Sequence, residues 1–413
     1  MNGTTNDTPK VSVLVPVYNM AAYLPQCMKA LCNQTLEDLE IIAIDDGSTD
    51  ASPEILRYWA DKDARIRIIS KPNSGYGASM NRGLEAARGT YVGIVEPDDF
   101  PDLVMFQKLV RVAEKHNADV VKCNYYLHYA DHEDVAWNFH GFGYNVPFDP
   151  ADNPAIVTTP PAIWTGLYRR SFLRREQIDF RETPGASFQD AAFSLKVWFA
   201  ATRAVLLRRP MLHYRMDNPG SSSKTTDKVY TVCDELACAY EFLQKRPDRA
   251  RAFAPWFNVD KWGKYRWNYE RITPAVHVEF AERMRNEFEA AREAGELDID
   301  LFERNSKGQL LYLLDKGPEA FAKRYPDSFP LDYEDDPLAS DYVAECVARG
   351  SVSAATKAPS KASGAQQQAD AAVPEGPSPA VSVIVPVYNT APFVTQCLDS
   401  LKAQTYEIGR AHV

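Results

Sequence analysis

The 413-residue chain has no run of about 18 uninterrupted apolar residues, the minimum for a membrane-spanning helix. Its first ten residues, MNGTTNDTPK, lack the apolar core of a secretory signal. Cysteine is sparse: the seven cysteines include no Cys-x-x-Cys pair and none at zinc-ligand spacing. A disulfide scaffold and a zinc ribbon are therefore not expected, and the thiols read as free side chains in a reducing cytoplasm. Basic residues are outnumbered, 46 Lys and Arg against 56 Asp and Glu, for a net charge of -10. A chain of that sign repels phosphodiester backbones, which argues against nucleic acid as a partner. The one basic cluster is Arg169, Arg170, Arg174 and Arg175. No Gly-x-Gly-x-x-Gly turn follows the first apolar run, where Pro16-Val17-Tyr18-Asn19-Met20 stands instead. That excludes a dinucleotide-binding oxidoreductase.

What is present is the composition of an ordinary globular protein, 45% hydrophobic and 25% charged. The length suits two domains or one large one, each able to bury a core without metal or disulfide support.

Short apolar runs alternate with helical patterns through the first hundred residues. Residues 11–17, 40–44, 66–69 and 91–95 read as buried strands, and residues 23–34 carry Leu24, Cys27, Met28 and Leu31 at helical spacing. Alternation of this kind predicts an α/β fold, a mostly parallel sheet with helices on both faces and ligands beyond the carboxyl ends of its strands. A further strand is expected at 120–128, a loop-rich stretch at 131–161, a helix at 193–201 and a closing strand at 204–214. From about residue 226 to 349 the pattern turns helical, with segments at 233–245, 278–294 and 307–325. Residues 350–379, rich in Ser, Ala, Pro and Gln, read as a flexible linker, and residues 1–10 as a disordered start.

The sequence then repeats itself. Residues 381–389 (VSVIVPVYN) copy residues 11–19 (VSVLVPVYN), and Ala391, Gln396, Cys397, Leu401, Gln404 and Thr405 repeat Ala21, Gln26, Cys27, Leu31, Gln34 and Thr35. Residues 380–413 are expected to be the truncated start of a second domain, poorly ordered because one strand and one helix cannot complete a sheet. A natural protein extending into a full second domain is the expectation, a divergent C-terminus the alternative.

Polar clusters sit at the strand ends. Tyr18, after Pro16 and before Asn19, offers an aromatic face for a nucleobase. Asp45-Asp46-Gly47-Ser48 forms an acidic tight turn. Asn73-Ser74-Gly75-Tyr76-Gly77, running on to Asn81-Arg82-Gly83, supplies glycines that let backbone approach a ligand. Glu96-Pro97-Asp98-Asp99 places three carboxylates within four residues, a repulsion that a cation relieves. Mg²⁺ or Mn²⁺ bound there by one or two of these carboxylates would also hold diphosphate oxygens. Phe188-Gln189-Asp190 precedes a helix, and His213-Tyr214-Arg215 precedes Ser221-Ser222-Ser223.

Taken in order, these clusters over about half the chain resemble the family 2 glycosyltransferases of GT-A type. The resemblance implies a GT-A domain over residues 11–225 with a helical appendage over 226–349. It implies nucleotide contacts from Pro16, Tyr18, Asn19, Asp45, Asp46, Asn73, Gly75 and Asn81, with Asp46 accepting a hydrogen bond from the base. Glu96-Pro97-Asp98-Asp99 resembles the metal-binding Asp-x-Asp motif but has Glu96 at its first acidic position, which leaves metal binding to Asp98 and Asp99. Asp190 matches the catalytic base, preceded by Gln189 where the family has glutamate, and Arg215 or His213 reaches the diphosphate. The implied reaction is inverting transfer from a nucleoside diphosphate sugar, a UDP-sugar foremost, to a hydroxyl of a cell-surface glycan or lipid-linked acceptor. The implied location is the cytoplasm, with peripheral contact at the inner membrane face through the arginine cluster. Glu96 and Gln189 leave one alternative from another class: a sugar-nucleotide-binding module without turnover.

Overall fold

The computed structural model describes residues 8–219, 228–330 and 336–349. All of them fall in one unit, Met1–Ser363; the other unit, Gly364–Val413, holds the repeat and lies outside the described residues, as do the expected linker and Ser221, Ser222 and Ser223.

Val11–Val17 (β1) is buried along its whole length, as a central strand covered on both faces must be. Leu24–Cys32 (α1) follows and buries Leu24, Cys27, Met28 and Leu31. Leu39–Asp45 (β2), Ser52–Ala60 (α2), Ile66–Ser70 (β3), Tyr76–Ala86 (α3) and Tyr91–Ile94 (β4) continue the alternation. The order β3-β2-β1-β4 is parallel throughout. Val17 lies opposite Asp45, and Asp45 opposite Ser70, so the carboxyl ends of three strands open onto one place.

Beyond β4 the alternation breaks. Phe100–Pro101 (β5), Met105–His116 (α4), Val120–His128 (β6), Glu133–Ala136 (β7), Pro147–Phe148 (β8), Gly166–Arg169 (β9), Arg170–Glu176 (α5), Gln189–Ala200 (α6) and Ala204–Arg215 (β10) follow. The full path is β3-β2-β1-β4-β9-β6-β10-β5, with β7 on β6 and β8 on β10. Strand β9 runs antiparallel to both β4 and β6, while β10 runs parallel to β6. The sheet is therefore mixed rather than parallel throughout. Strand β9 arrives from the excursion after β6, with no helical crossover to return it in the same direction.

The remaining helices are Thr231–Gln244 (α7), Pro247–Tyr269 (α8), His277–Glu293 (α9), Arg304–Lys316 (α10), Pro318–Arg324 (α11) and Pro337–Ala348 (α12). One core cluster joins them to the sheet: Ile42, Ile94, Phe193 and Trp198 belong to the same buried group as Phe253, Trp262, Tyr265 and Phe288. A second cluster, including Val13, Met28 and Phe106, packs the other sheet face. Each fully buried large side chain contributes roughly 1.5–3 kcal/mol, so the shared cluster binds helices and sheet into one folding unit.

The arginine cluster is engaged with the fold. Arg169 donates to Ala118 O and Asn117, Arg170 to Gly89 O, and Arg175 pairs with Glu176.

One close approach is decisive for the site. A Cβ added at Gly77 would stand 2.0 Å from the Arg181 carbonyl oxygen. Gly77→Ala is expected to cost about 1–3 kcal/mol in urea unfolding, because backbone rather than a flexible side chain must yield. It should also lower activity, since residues 181–188 lead directly into Asp190.

Candidate active site

The first strand ends are stitched together by short side chains. Asn19, at φ 54, accepts a hydrogen bond from Thr49 N at 2.8 Å, and its own N–H donates to Ser48 Oγ at 3.1 Å. Asp45 Oδ1 accepts from Ser48 N at 3.0 Å. Asp46 Oδ1 accepts from Ser74 N at 2.9 Å and from Lys71 Nζ, and Oδ2 accepts from Gly75 N at 3.0 Å. Asp46 thus organises the 71–75 loop, and a base contact would use a lone pair left over from these bonds. Tyr18 has 46% of its surface exposed, Asn73 is exposed, and Pro16 is buried within β1. Asn81 is not brought to this cleft. Its amide donates to Phe180 O and Glu182, and its carbonyl accepts from Phe180 N, so it ties α3 to the 180–182 segment.

The second group gathers around the turn after β4. Tyr76 donates to Glu96 Oε1 at 2.6 Å. Burial, with Asp98 and Asp190 nearby, pushes Glu96 up to about 8, against the pull of the Tyr76 hydrogen bond. Asp98 Oδ2 accepts from Asn218 at 2.8 Å. Asp99 is 1% exposed; its Oδ1 accepts from Arg215 N at 2.9 Å, while its Oδ2 is buried with no partner among the described residues. Burial first, then Asp98, raises the Asp99 carboxyl well above the carboxylate range. Arg215 clamps the turn from outside, donating to Asp98 O at 2.9 Å and Gln26 Oε1 at 2.6 Å, with its guanidinium over Tyr23.

The third group is Asp190, in the first turn of α6. Phe188 holds the unfavourable φ of 61 just before it, and Trp267 of α8 packs edge-on against the Phe188 ring at 5.4 Å. Gln189 is buried and bonds Thr183, Gly185 O and Ser187 N, so the residue in the glutamate position serves the loop. Asp190 Oδ1 accepts from Ala191 N at 2.9 Å. Burial raises its pKa; that hydrogen bond and the charges of Lys264 and Lys122 pull it back. The Asp190 charge is felt by Glu96 and Tyr76, and Tyr214 feels Asp99, Asp98 and Asp190 together. Tyr76, with its hydroxyl on Glu96 and its N–H on Gly185 O at 3.1 Å, ties together two acidic segments some ninety residues apart in sequence. His213 lies on the β10 face opposite Tyr214.

Several residues here have no signal in the sequence reading. Lys264 and Trp267 stand on a helix without motifs. Gln26 had one: it is among the residues repeated in the second copy, at Gln396.

A mixed sheet with helices on both faces and acidic turns at its strand ends is the GT-A fold. Residues 12–196 match Glycosyl transferase family 2, to which the chain belongs. An uncharacterised glycosyltransferase of Bacillus subtilis, EpsJ, is 34% identical over 228 residues, 52% of this chain and 62% of that protein. Glycosyltransferase GlyG of Streptococcus pneumoniae is 30% identical over 213 residues, 50% of this chain and 70% of that protein. The chain thus spans less than two thirds of the Bacillus relative. Among solved structures, S. aureus TarS 1–349 superposes with a TM-score of 0.60 at 18% identity, covering 83% of this chain and 92% of that one. The same TarS fragment has been solved with UDP-GlcNAc, with a TM-score of 0.52.

Proposed function

We propose that the chain transfers a sugar from a nucleoside diphosphate sugar to an acceptor hydroxyl, with inversion at the anomeric carbon. The observation that carries this reading is the convergence of Asp98, Asp99, whose Oδ2 meets no partner among the described residues, and the base-like Asp190 at the strand ends. The TarS complex with UDP-GlcNAc supports a UDP-sugar as donor.

Asp98 and Asp99 are oxygen donors suited to Mg²⁺ or Mn²⁺, and a buried oxygen without a partner is what such an ion would fill. The ion when bound would offset the charge of the donor diphosphate. Tyr18 supplies a face for the base. Arg215 fixes the Asp98 backbone and the acidic turn. Asp190 takes the proton of the acceptor hydroxyl as that oxygen bonds to the anomeric carbon. The bond from that carbon to the diphosphate breaks, and the nucleoside diphosphate leaves with the electron pair. Phe188, Trp267 and Lys264 border Asp190, so acceptor is proposed to enter along α8. The proposed acceptor is a cell-surface glycan or lipid-linked saccharide, and the repeat at 381–405 is proposed to begin a second domain of the same kind.

The test is release of nucleoside diphosphate from a panel of NDP-sugars by the full chain with Mn²⁺ and with EDTA. Release only with metal is the expected result and names the donor. Tight nucleotide binding without release, with mixed envelope acceptors supplied, would favour the binding module instead.

A further inference from the structure

We infer that the sheet carries a second metal site, for a transition divalent ion such as Zn²⁺, formed by His128, Glu133 and His213. His128 ends β6 and lies opposite Glu133 of β7, while His213 of β10 lies opposite Tyr126, two residues before His128. Side chains alternate along strands, so this register puts all three donors on one face of the sheet. Glu133 Oε1 is 2.7 Å from His128 Nδ1 and 2.7 Å from His213 Nδ1. Among the described residues this is the one group of three such side chains whose donor atoms lie within 4.8 Å of one another.

Two nitrogens and a carboxylate oxygen favour Zn²⁺ over Mg²⁺. Tetrahedral bonds of about 2 Å set donor atoms roughly 3.4 Å apart, so Glu133 Oε1 would move out from its 2.7 Å contacts with the two Nδ1 atoms as an ion enters. His213 also has the second partner that ligating histidines use: its Nε2 is 3.3 Å from Asp102 Oδ1. Asp102 is itself fixed, its N–H on Met211 O and its carbonyl accepting from Gln34. The His213 ring is stacked on Phe100 at 4.4 Å and on Tyr126 at 4.8 Å, so it cannot turn to offer the other nitrogen. The side chains of His128 and Glu133 are 24% and 34% exposed, leaving water a path to the remaining coordination positions. Binding requires both Nδ1 atoms unprotonated, with the His213 proton carried on Nε2 and donated to Asp102.

This site is distinct from the acidic turn. Tyr214 and Trp164, stacked at 5.2 Å, occupy the opposite face of β10, on the side of Asp190. Phe100 links the two sites, since it follows Asp99 in sequence and stacks on His213. A bound ion would pin β7 to β6 and β10 and steady the chain just after Asp99.

The full chain, stripped with EDTA and then dialysed free of chelator against Zn²⁺, should bind one equivalent at this site even as the Asp98→Asn/Asp99→Asn variant. That equivalent should vanish in His128→Gln and in Glu133→Gln, both folded by circular dichroism. Asp102→Asn should weaken it about 10–100-fold, as expected for the partner of a ligating histidine. Co²⁺ in place of Zn²⁺ should show the visible bands of a tetrahedral site, lost in the same variants. The inference is overturned by equal Zn²⁺ stoichiometry in wild type, His128→Gln and Glu133→Gln, or by no bound Zn²⁺ once Asp98 and Asp99 are replaced.

Discussion

An Asp190→Asn enzyme should bind donor normally and lose about 10²–10⁴-fold in kcat, the usual contribution of a positioned general base. The amide keeps the shape of the side chain and can still accept from Ala191 N, so α6 should start as before. Stability separates this outcome from misfolding. Burial raises the folded-state pKa of Asp190 above that of the unfolded chain. The folded protein therefore holds this proton over a pH window in which the unfolded chain has released it. Within that window, stability falls as pH rises. Asparagine removes the cost of the buried charge, so the variant should melt no lower than wild type at neutral pH. The same shift sets the rate profile. Only ionised Asp190 accepts a proton, so kcat/KM should rise with pH through a limb shifted upward from that of an ordinary aspartate. Lys264→Met removes a charge that pulls this pKa down and should move the limb further up. A profile unchanged in Asp190→Asn, with activity within tenfold of wild type, would remove Asp190 from the chemistry.

The Asp98→Asn/Asp99→Asn double variant should lose metal-dependent release of nucleoside diphosphate by roughly 10²–10³-fold. That corresponds to the several kcal/mol assigned to charge neutralisation in such sites. Wild type should gain melting temperature as Mn²⁺ is added with nucleoside diphosphate, because a ligand that binds only the folded state stabilises it. The variant should gain little. Asp99 is 1% exposed and its Oδ2 meets no partner among the described residues, so a neutral amide there adds no buried charge and should leave the melting temperature in EDTA unharmed. Full metal-dependent turnover by the double variant would place the cation elsewhere.

Strands with strong apolar runs were legible from sequence, and β6 spans the expected residues 120–128. Helix α8 was not, although it is the longest described. It buries Phe253, Phe257, Tyr265 and Tyr269 at helical spacing, but also buries Asn258, Asp260, Lys261, Arg266 and Asn268 and contains Pro255, so polar residues interrupt the apolar stripe that would announce it. The segment expected as one helix over 307–325 is two, because Gly317, at φ 88, and Pro318 end α10 and begin α11. The direction of β9 was invisible because four residues carry no sign of orientation. In the site, the strand-end carboxylates could be named because their spacing carries chemistry. The duties of Asp46, Asn81 and Gln189 could not, since which backbone amide a side chain meets depends on loops folded from distant sequence. Lys264 illustrates the limit: only tertiary packing brings it near Asp190.

The core shared between helices and sheet has a bearing on where this protein can be divided. A fragment ending after β10 would keep Asp46, Asp98, Asp99, Asp190 and Arg215. It would also strip α7 and α8 from α6, whose residues 191–200 are nearly all buried, Phe193 and Trp198 among them. That fragment would hold the residues proposed for catalysis and present a wide greasy surface to water, a recipe for inclusion bodies. The shortest piece worth expressing is therefore set by oil rather than by chemistry, and it reaches well past the last family motif.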